Sequence, residues 1–205
     1  MVRTRDSIGA GVAALAEREP AFARVVEKYG VPEPRNGEPG AHTLLRTIVG
    51  QQVSVAAARS MWAKLEAQFG SPPDIKAILD ASDEELRAAG LSRQKAGYAR
   101  SLAGLVLAGE LDLAALPEDD EEAIGLLTRI KGIGRWSAEI YLLFAEGRPD
   151  VWPAGDLAVQ VEIGRLLGHA ERPGEKQLRE WAEPWRPYRG AAAVLAWHSY
   201  NSAVL

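Results

Sequence analysis

Apolar residues recur at helical spacing along almost the whole chain, and this pattern restricts the fold more than any other feature of the sequence. In residues 41–70 the apolar positions follow i, i+3 and i+4 steps, the period of an amphipathic α-helix. No segment shows the alternating, β-branched run bounded by turns that is typical of a strand. The sequence therefore predicts an all-α protein of about ten or eleven helices with short connections.

Turn and cap residues divide this pattern into separate helices. The Pro/Gly-rich residues 31–40 form a loop, and Gly50 with the two glutamines after it separates two helices. Ser82 and Glu85 have the spacing of a capping box, which predicts that a helix begins there. Further helices are predicted at about 92–109, 120–130, 134–146, 156–168, 174–182 and 187–203.

Composition narrows the range of functions. The chain has 205 residues, enough for one domain or two small lobes, and no cysteine, which excludes disulfides, Cys-ligated zinc and iron–sulfur clusters. The net charge of −4 means that any nucleic-acid contact must use a local basic patch. No apolar run approaches the roughly 18 residues of a membrane span. We therefore expect the protein in the cytoplasm without membrane contact. We also expect it to be a monomer.

Two glycines interrupt a pair of amphipathic helices in residues 123–143. One interpretation is structural, because glycine allows a positive φ and a close approach of two helices in an αα-hairpin. The other is functional, because glycines leave the amides at the start of the second helix open to an anion such as phosphate. Three cations surround the turn. The candidate phosphate-binding residues are Gly132, Gly134, Arg129, Lys131 and Arg135.

Five segments together carry a family resemblance. They are "AHTLLRTIVGQQVSVAAA" (41–58), "LSRQKAGYARSLAGLV" (91–106), "LTRIKGIGRWSAEIYLL" (127–143), "VWPAGDLAVQ" (151–160) and "WRPYRGAAAVLAWHSY" (185–200). In this order they resemble the helix-hairpin-helix–GPD DNA glycosylases, and within these the 3-methyladenine DNA glycosylase II branch. The resemblance covers about residues 41–203, and the ordered set is far more specific than a lone Gly-Ile-Gly.

The resemblance implies an all-α fold of two helical lobes, with the helix-hairpin-helix motif and an active-site cleft between them. Lobe A is expected at about 44–155, including the hairpin at 123–143. Lobe B is expected to combine 1–43 with 156–205. Residues 1–40 are too few and too helical for the β-rich N-terminal lobe of the longer members, so the chain resembles the short form.

Asp156 is the catalytic residue that the resemblance implies. By position alone it is most simply an N-cap, because it follows a Pro-Ala-Gly turn and precedes an amphipathic helix. The catalytic aspartate of the family sits at such a helix start. A fixed carboxylate there stabilises the positive charge that develops on the sugar and aligns the attacking water.

Trp136 occupies the hairpin position at which bifunctional relatives carry a nucleophilic lysine. The resemblance therefore implies simple hydrolysis without lyase activity. Trp136 and Trp197 match aromatic residues of the base pocket, and core packing is the alternative for each. Tyr141 is a weaker pocket candidate for which core packing is favoured. Gln52 matches the residue that fills the gap left by the flipped base, with a loop amide as the alternative.

The implied activity is removal of alkylated purines, such as 3-methyladenine and 7-methylguanine, from double-stranded DNA, leaving an intact abasic site. The alternatives are a non-catalytic helix-hairpin-helix DNA-binding module and a glycosylase for deaminated or etheno purines. No cofactor is expected to be required, and no iron–sulfur cluster. The family hairpin often binds Na⁺ or K⁺ through backbone carbonyls, which by position are those of Thr128, Ile130 and Ile133.

Overall fold

The computed structural model describes residues 7–33 and 37–203, and these residues form helices without a strand. The predicted all-α class is thus confirmed. The described helices are α1 (Ser7–Arg18), α2 (Pro20–Tyr29), α3 (Ala41–Gly50), α4 (Val55–Phe69), α5 (Ile75–Asp80), α6 (Asp83–Ala88), α7 (Arg93–Leu107), α8 (Asp120–Leu127), α9 (Arg135–Phe144), α10 (Leu157–Leu166), α11 (Glu175–Trp181) and α12 (Arg189–Ala203), with a 3-10 turn at Glu183–Trp185.

The described part of the chain has twelve α-helices, slightly more than the ten or eleven that the sequence predicted, and the shortest are α5 and α6 with six residues each. Each has its own N-cap. Asp74 accepts hydrogen bonds from two amides of α5, and Ser82 and Glu85 form the predicted capping box at the start of α6. None of the described helices is long and apolar enough to cross a membrane.

The chain divides into two units, which we call the terminal unit and the central unit. The terminal unit contains the described residues 7–33, 37 and 142–203, and the central unit contains 38–141. The boundary near residue 37 lies close to the predicted one. The second boundary falls between residues 141 and 142, whereas the sequence placed it near 155.

Residues 142–155 belong to the terminal unit because they pack closely on the start of α12. The amide of Gly190 donates a hydrogen bond to the carbonyl of Pro149 at 2.8 Å. A Cβ at Gly190 would lie 2.7 Å from the backbone carbonyl oxygen of Pro149, so only glycine permits this approach. Sequence periodicity does not reveal such a contact between distant segments.

Aromatic side chains and the alanines of α12 form the core of the terminal unit. The ring of Trp185 contacts Phe22 at a centroid distance of 5.0 Å and Trp152 at 5.7 Å, both edge to face. The indole N–H of Trp152 donates to the carbonyl of Leu178 at 3.3 Å. These contacts fix residues 151–156, which lead into α10.

Helix α7 is the organising element of the central unit, where it packs against α3, α5 and α6. Lys95 is 9 % exposed, and its ammonium donates to the carbonyl of Val49 in the last turn of α3 at 2.7 Å. Burial lowers the pKa of this ammonium group. A cation at a helix C-terminus satisfies a carbonyl that has no partner within the helix, so Lys95 fixes the point where α3 ends.

Candidate active site

Asp156 is the N-cap of α10, as its position in the sequence predicted. Its Oδ1 accepts a hydrogen bond from the amide of Val159 at 2.9 Å. The amide of Asp156 donates to the carbonyl of Pro153 at 2.9 Å, which closes the turn that precedes the helix. The carboxylate is therefore held at the positive end of the helix dipole.

Trp197, which lies on α12, binds the carboxylate of Asp156 as well. Its indole N–H donates to Oδ1 of Asp156 at 3.0 Å, and the residue is partly buried. This oxygen thus receives two N–H donors that lie on different helices, which fixes the plane of the carboxylate. The sequence offered base stacking or core packing for Trp197, and the contact with Asp156 is a third role that it did not reveal.

Phe144 and Leu157 extend this cluster, and neither was singled out from the sequence. The ring of Phe144 lies 5.7 Å from that of Trp197 at an interplanar angle of 36°. Leu157, directly after Asp156, is 57 % exposed. An aromatic pair and an exposed leucine beside a fixed carboxylate provide apolar surface for a planar ligand.

The hairpin of the central unit is formed by α8, a turn and α9. Gly132 has a φ of +84°, and the Tyr98 ring occupies the place where a Cβ would be. The amide of Lys131 donates to the hydroxyl of Ser101 at 3.1 Å. Around Gly134 nothing lies within 4 Å of the Cβ position. The first glycine is therefore required for packing, whereas the second leaves open space at the start of α9.

The two glycines allow a matched test of this difference. Gly132→Ala is expected to cost about 2–4 kcal/mol of unfolding free energy, because it combines a positive φ with overpacking against Tyr98. Gly134→Ala should change stability by less than about 1 kcal/mol. Urea unfolding of both variants measures this. Equal stability of the two variants would show that Tyr98 gives way easily and that the glycine at position 132 is not a packing requirement.

Trp136, in the first turn of α9, is 49 % exposed, which is more than a core aromatic residue shows. It lines a groove of ≈ 990 Å³ in the central unit, which we call the Trp136 groove. Tyr98, Lys95 and Ile140 line the same groove. The exposed indole faces a space large enough for a nucleobase.

Gln52 lies in the loop of residues 51–54, which separates α3 from α4. It is exposed, and with φ +55° it is the one non-glycine residue at positive φ in the described parts of the chain. The side-chain amide of Gln51 donates to the carbonyl of Gly132 at 2.8 Å and so joins the loop to the hairpin. A non-glycine residue at positive φ costs energy that the surrounding contacts must supply, and such strain is typical of a functional loop tip.

The three hairpin cations differ in their partners. Arg129 pairs with Glu110 at 2.6 Å. Arg135 forms a bidentate pair with Glu121 and a second pair with Glu139 at 2.9 Å. The hydrogen bond with Glu121 is the main reason why the pKa of Arg135 lies above its ordinary value. Lys131 is exposed and has no ion pair with another described residue, so it is the cation most accessible to an external anion.

Tyr141 is 3 % exposed, and its hydroxyl accepts a hydrogen bond from the amide of Gly40, the N-cap residue of α3, at 2.8 Å. This placement agrees with core packing, the interpretation that the sequence favoured. The hydrogen bond from Gly40 helps to hold the start of α3.

The turn that precedes α9 contains the three carbonyls considered for a monovalent cation. The carbonyl of Ile130 accepts a hydrogen bond from the amide of Ile133 at 3.0 Å, and Thr128 donates its hydroxyl to the carbonyl of Gly125. A carbonyl oxygen has a second lone pair, so the turn is compatible with a cation. Within residues 7–33 and 37–203, no group of three or more His, Cys, Asp or Glu side chains could hold a metal ion.

These features define a class. The described chain is helical and contains a glycine hairpin followed by a half-exposed tryptophan. It also contains an aspartate that caps a helix after a Pro/Gly turn. These are features of a helix-hairpin-helix protein. The family model of the HhH-GPD superfamily base excision DNA repair proteins matches residues 45–187, and the chain belongs to this family.

Known relatives are similar over most of the chain. DNA-3-methyladenine glycosylase 1 of Schizosaccharomyces pombe is 32 % identical over 78 % of this chain and 72 % of its own length. Among solved structures, a DNA-3-methyladenine glycosidase from Bacillus halodurans has a TM-score of 0.82, 30 % identity and coverage of 97 % of this chain and 89 % of that one. The S. pombe 3-methyladenine DNA glycosylase in complex with abasic DNA has a TM-score of 0.78, 28 % identity and coverage of 96 % and 97 %.

Some relatives are longer than this chain. A Bacillus subtilis relative with 27 % identity is matched over only 57 % of its length.

Proposed function

We propose that the protein is a monofunctional DNA glycosylase that hydrolyses the N-glycosidic bond of alkylated purines in double-stranded DNA. The observation that carries the proposal is the carboxylate of Asp156, held by the amide of Val159 and the indole N–H of Trp197. The relatives named DNA-3-methyladenine glycosylase support the same activity. We expect the enzyme to act as a monomer on 3-methyladenine and 7-methylguanine.

Asp156 would act on the sugar rather than on the base. As the glycosidic bond breaks, the deoxyribose acquires oxocarbenium character, and a fixed negative charge nearby lowers the energy of that state. The same carboxylate can align or deprotonate the attacking water. Bases such as 3-methyladenine and 7-methylguanine already carry positive charge in DNA and leave readily, so the enzyme need not supply a strong acid for the base.

Trp136 would contact the flipped base. An electron-rich indole attracts a cationic alkylated purine more strongly than a neutral one, by on the order of 0.5–2 kcal/mol. Its half-exposed position on the Trp136 groove leaves a ring surface for this contact. Gln52 would fill the gap that the base leaves in the duplex. Its support is the exposed, strained position at the tip of its loop.

The reaction should leave the DNA strand intact. A lyase needs an amine that attacks the sugar and forms a Schiff base, and a tryptophan stands at that hairpin position. The test is incubation with single-lesion duplexes with and without borohydride. We expect free base, an abasic strand that breaks only after alkali, and no covalent enzyme–DNA adduct. An adduct trapped in high yield would overturn the monofunctional assignment.

Lys131 should be the main phosphate contact among the hairpin cations. Neutralisation by Lys131→Gln is expected to weaken DNA binding and to lower the slope of log K against log salt by about one. Arg129→Gln should have a smaller effect, because Arg129 is already paired with Glu110. Fluorescence anisotropy from 50 to about 200 mM salt measures both. A change in the order of preferred bases would contradict a role through phosphate alone.

We also propose that the hairpin holds Na⁺ or K⁺ through the carbonyls of Thr128, Ile130 and Ile133. The bound ion would place positive charge beside the DNA backbone, and the protein would need no further cofactor. Replacement of K⁺ by choline at constant ionic strength should then weaken DNA binding. Equal affinities in the two salts would argue against an ion at this turn.

A further inference from the structure

The loop at residues 51–54 borders a second hollow, which adjoins the Trp136 groove and shares Arg46, Gly50 and Val53 with it. This pocket has a volume of ≈ 250 Å³ and lies between α3 and the first turns of α4. We call it the Arg46 pocket. Its lining includes Arg46, Arg59 and Trp62 together with Val53 and Val55. None of these residues has a part in the function proposed above.

Two arginines give the pocket a positive charge. The guanidinium of Arg46 stacks on Trp62 at 3.8 Å from the ring centre and remains 60 % exposed. It forms a long ion pair with Glu66, in which Nη2 of Arg46 lies 3.9 Å from Oε1 of Glu66. Arg59 is exposed and forms no ion pair with any described residue. In a chain with a net charge of −4, two accessible cations on one small pocket indicate an anionic ligand.

The rest of the lining is apolar. Val53 is 39 % exposed and Val55 is 73 % exposed. Trp62 is 6 % exposed, and its indole N–H is the one buried side-chain polar atom in the described chain that lacks a hydrogen-bond partner. Buried donors are rarely left unpaired. Accessible cations beside exposed aliphatic groups suit a ligand with an anionic and an apolar part, such as a sugar–phosphate backbone.

We propose that the Arg46 pocket binds the backbone of the strand complementary to the damaged one. Arg59 and Arg46 would contact a phosphate, and the two valines would contact the adjoining deoxyribose. This inference rests on the proposed function, because it assumes that the loop at 51–54 enters a DNA duplex.

The position of the pocket beside the loop selects this strand. Arg46 and Val53 lie at the border and line both hollows, whereas Gln51 and Gln52 line only the Trp136 groove, and Val55 and Arg59 line only the Arg46 pocket. The proposed contact of Trp136 with the flipped base places the damaged strand at the Trp136 groove. A loop tip that fills the gap left by a flipped base has the complementary strand on its other flank, and there the Arg46 pocket supplies positive charge.

The test uses duplexes in which single phosphates are replaced by neutral methylphosphonates, on one strand or the other. Binding to an abasic-site duplex is measured for the wild type and for Arg59→Gln and Arg46→Gln. Lys64→Gln is the control, because Lys64 is an exposed cation on α4 that lies about 140° around the helix from Arg59. Thermal unfolding checks that each variant is folded.

We expect each arginine variant to bind on the order of fivefold more weakly and to lose about one unit of salt slope, while the control is unchanged. A neutral linkage in the complementary strand opposite the lesion should weaken DNA binding by the wild type by a similar factor. It should leave DNA binding by Arg59→Gln unchanged. The proposal would be overturned if the arginine variants became insensitive only to neutral linkages in the damaged strand. It would also be overturned if both arginine variants bound DNA with wild-type affinity. Because binding alone is measured, a failure here is distinguishable from a lack of glycosylase activity.

Discussion

Asp156→Asn is expected to lower single-turnover release of 3-methyladenine by at least about 100-fold, because it removes the negative charge that stabilises the developing cation on the sugar. The fold should be unaffected. Asparagine is as good an N-cap as aspartate, and its Oδ1 can still accept hydrogen bonds from Val159 and Trp197. The unfolding free energy should therefore change by less than about 1 kcal/mol, and DNA binding should not weaken.

Asp119 provides the matched control for this substitution. It is the N-cap of α8, and its Oδ1 accepts from the amide of Glu122 at 2.9 Å, as Asp156 accepts from Val159. Asp119→Asn makes the same chemical change at another helix start, and we expect full activity. If Asp156→Asn retained nearly wild-type rates, the aspartate would be a cap and nothing more.

Trp136→Ala should have the second largest effect. Stacking of a base on an aromatic ring contributes about 1–3 kcal/mol, so we expect base release at low enzyme concentration to fall by roughly 10- to 100-fold. The stability should change little, because the side chain is 49 % exposed. Trp136→Phe keeps an aromatic face and should retain most of the activity on a neutral base but less on a cationic one.

The comparison with another tryptophan makes this result specific. Trp181 stacks on His169 at a centroid distance of 4.2 Å and does not line the Trp136 groove. Trp181→Ala removes as much aromatic surface, and its effect on activity should follow only from its effect on stability. An equal loss of base release in both variants, at equal folded fraction, would contradict a base contact for Trp136.

Features determined by local sequence were predicted well. The capping box of Ser82 and Glu85, the cap role of Asp156 and the glycine turn of the hairpin depend on residues within a few positions of one another. The period of the apolar residues depends on the helix itself. Short-range geometry of this kind is readable from one sequence, and the all-α class followed from it.

Features that depend on distant contacts were not predictable. The hydrogen bond between Trp197 and Asp156 joins residues that are 41 positions apart. Nothing in the sequence of either segment indicates this hydrogen bond. The ion pairs of Arg129 and Arg135 likewise depend on glutamates brought near by folding, so three cations that look equivalent in the sequence are not equivalent in the structure. The boundary at residue 141 rather than 155 has the same origin, in the contact of Gly190 with Pro149.

The central claim is that the chain releases an alkylated base from duplex DNA by hydrolysis. The most direct measurement uses excess wild-type enzyme on a duplex with one 7-methylguanine, with both products identified by mass spectrometry. We predict free 7-methylguanine and a full-length strand carrying one abasic site. Tight binding of the duplex without any base release would contradict the account and would identify the chain as a non-catalytic helix-hairpin-helix DNA-binding module.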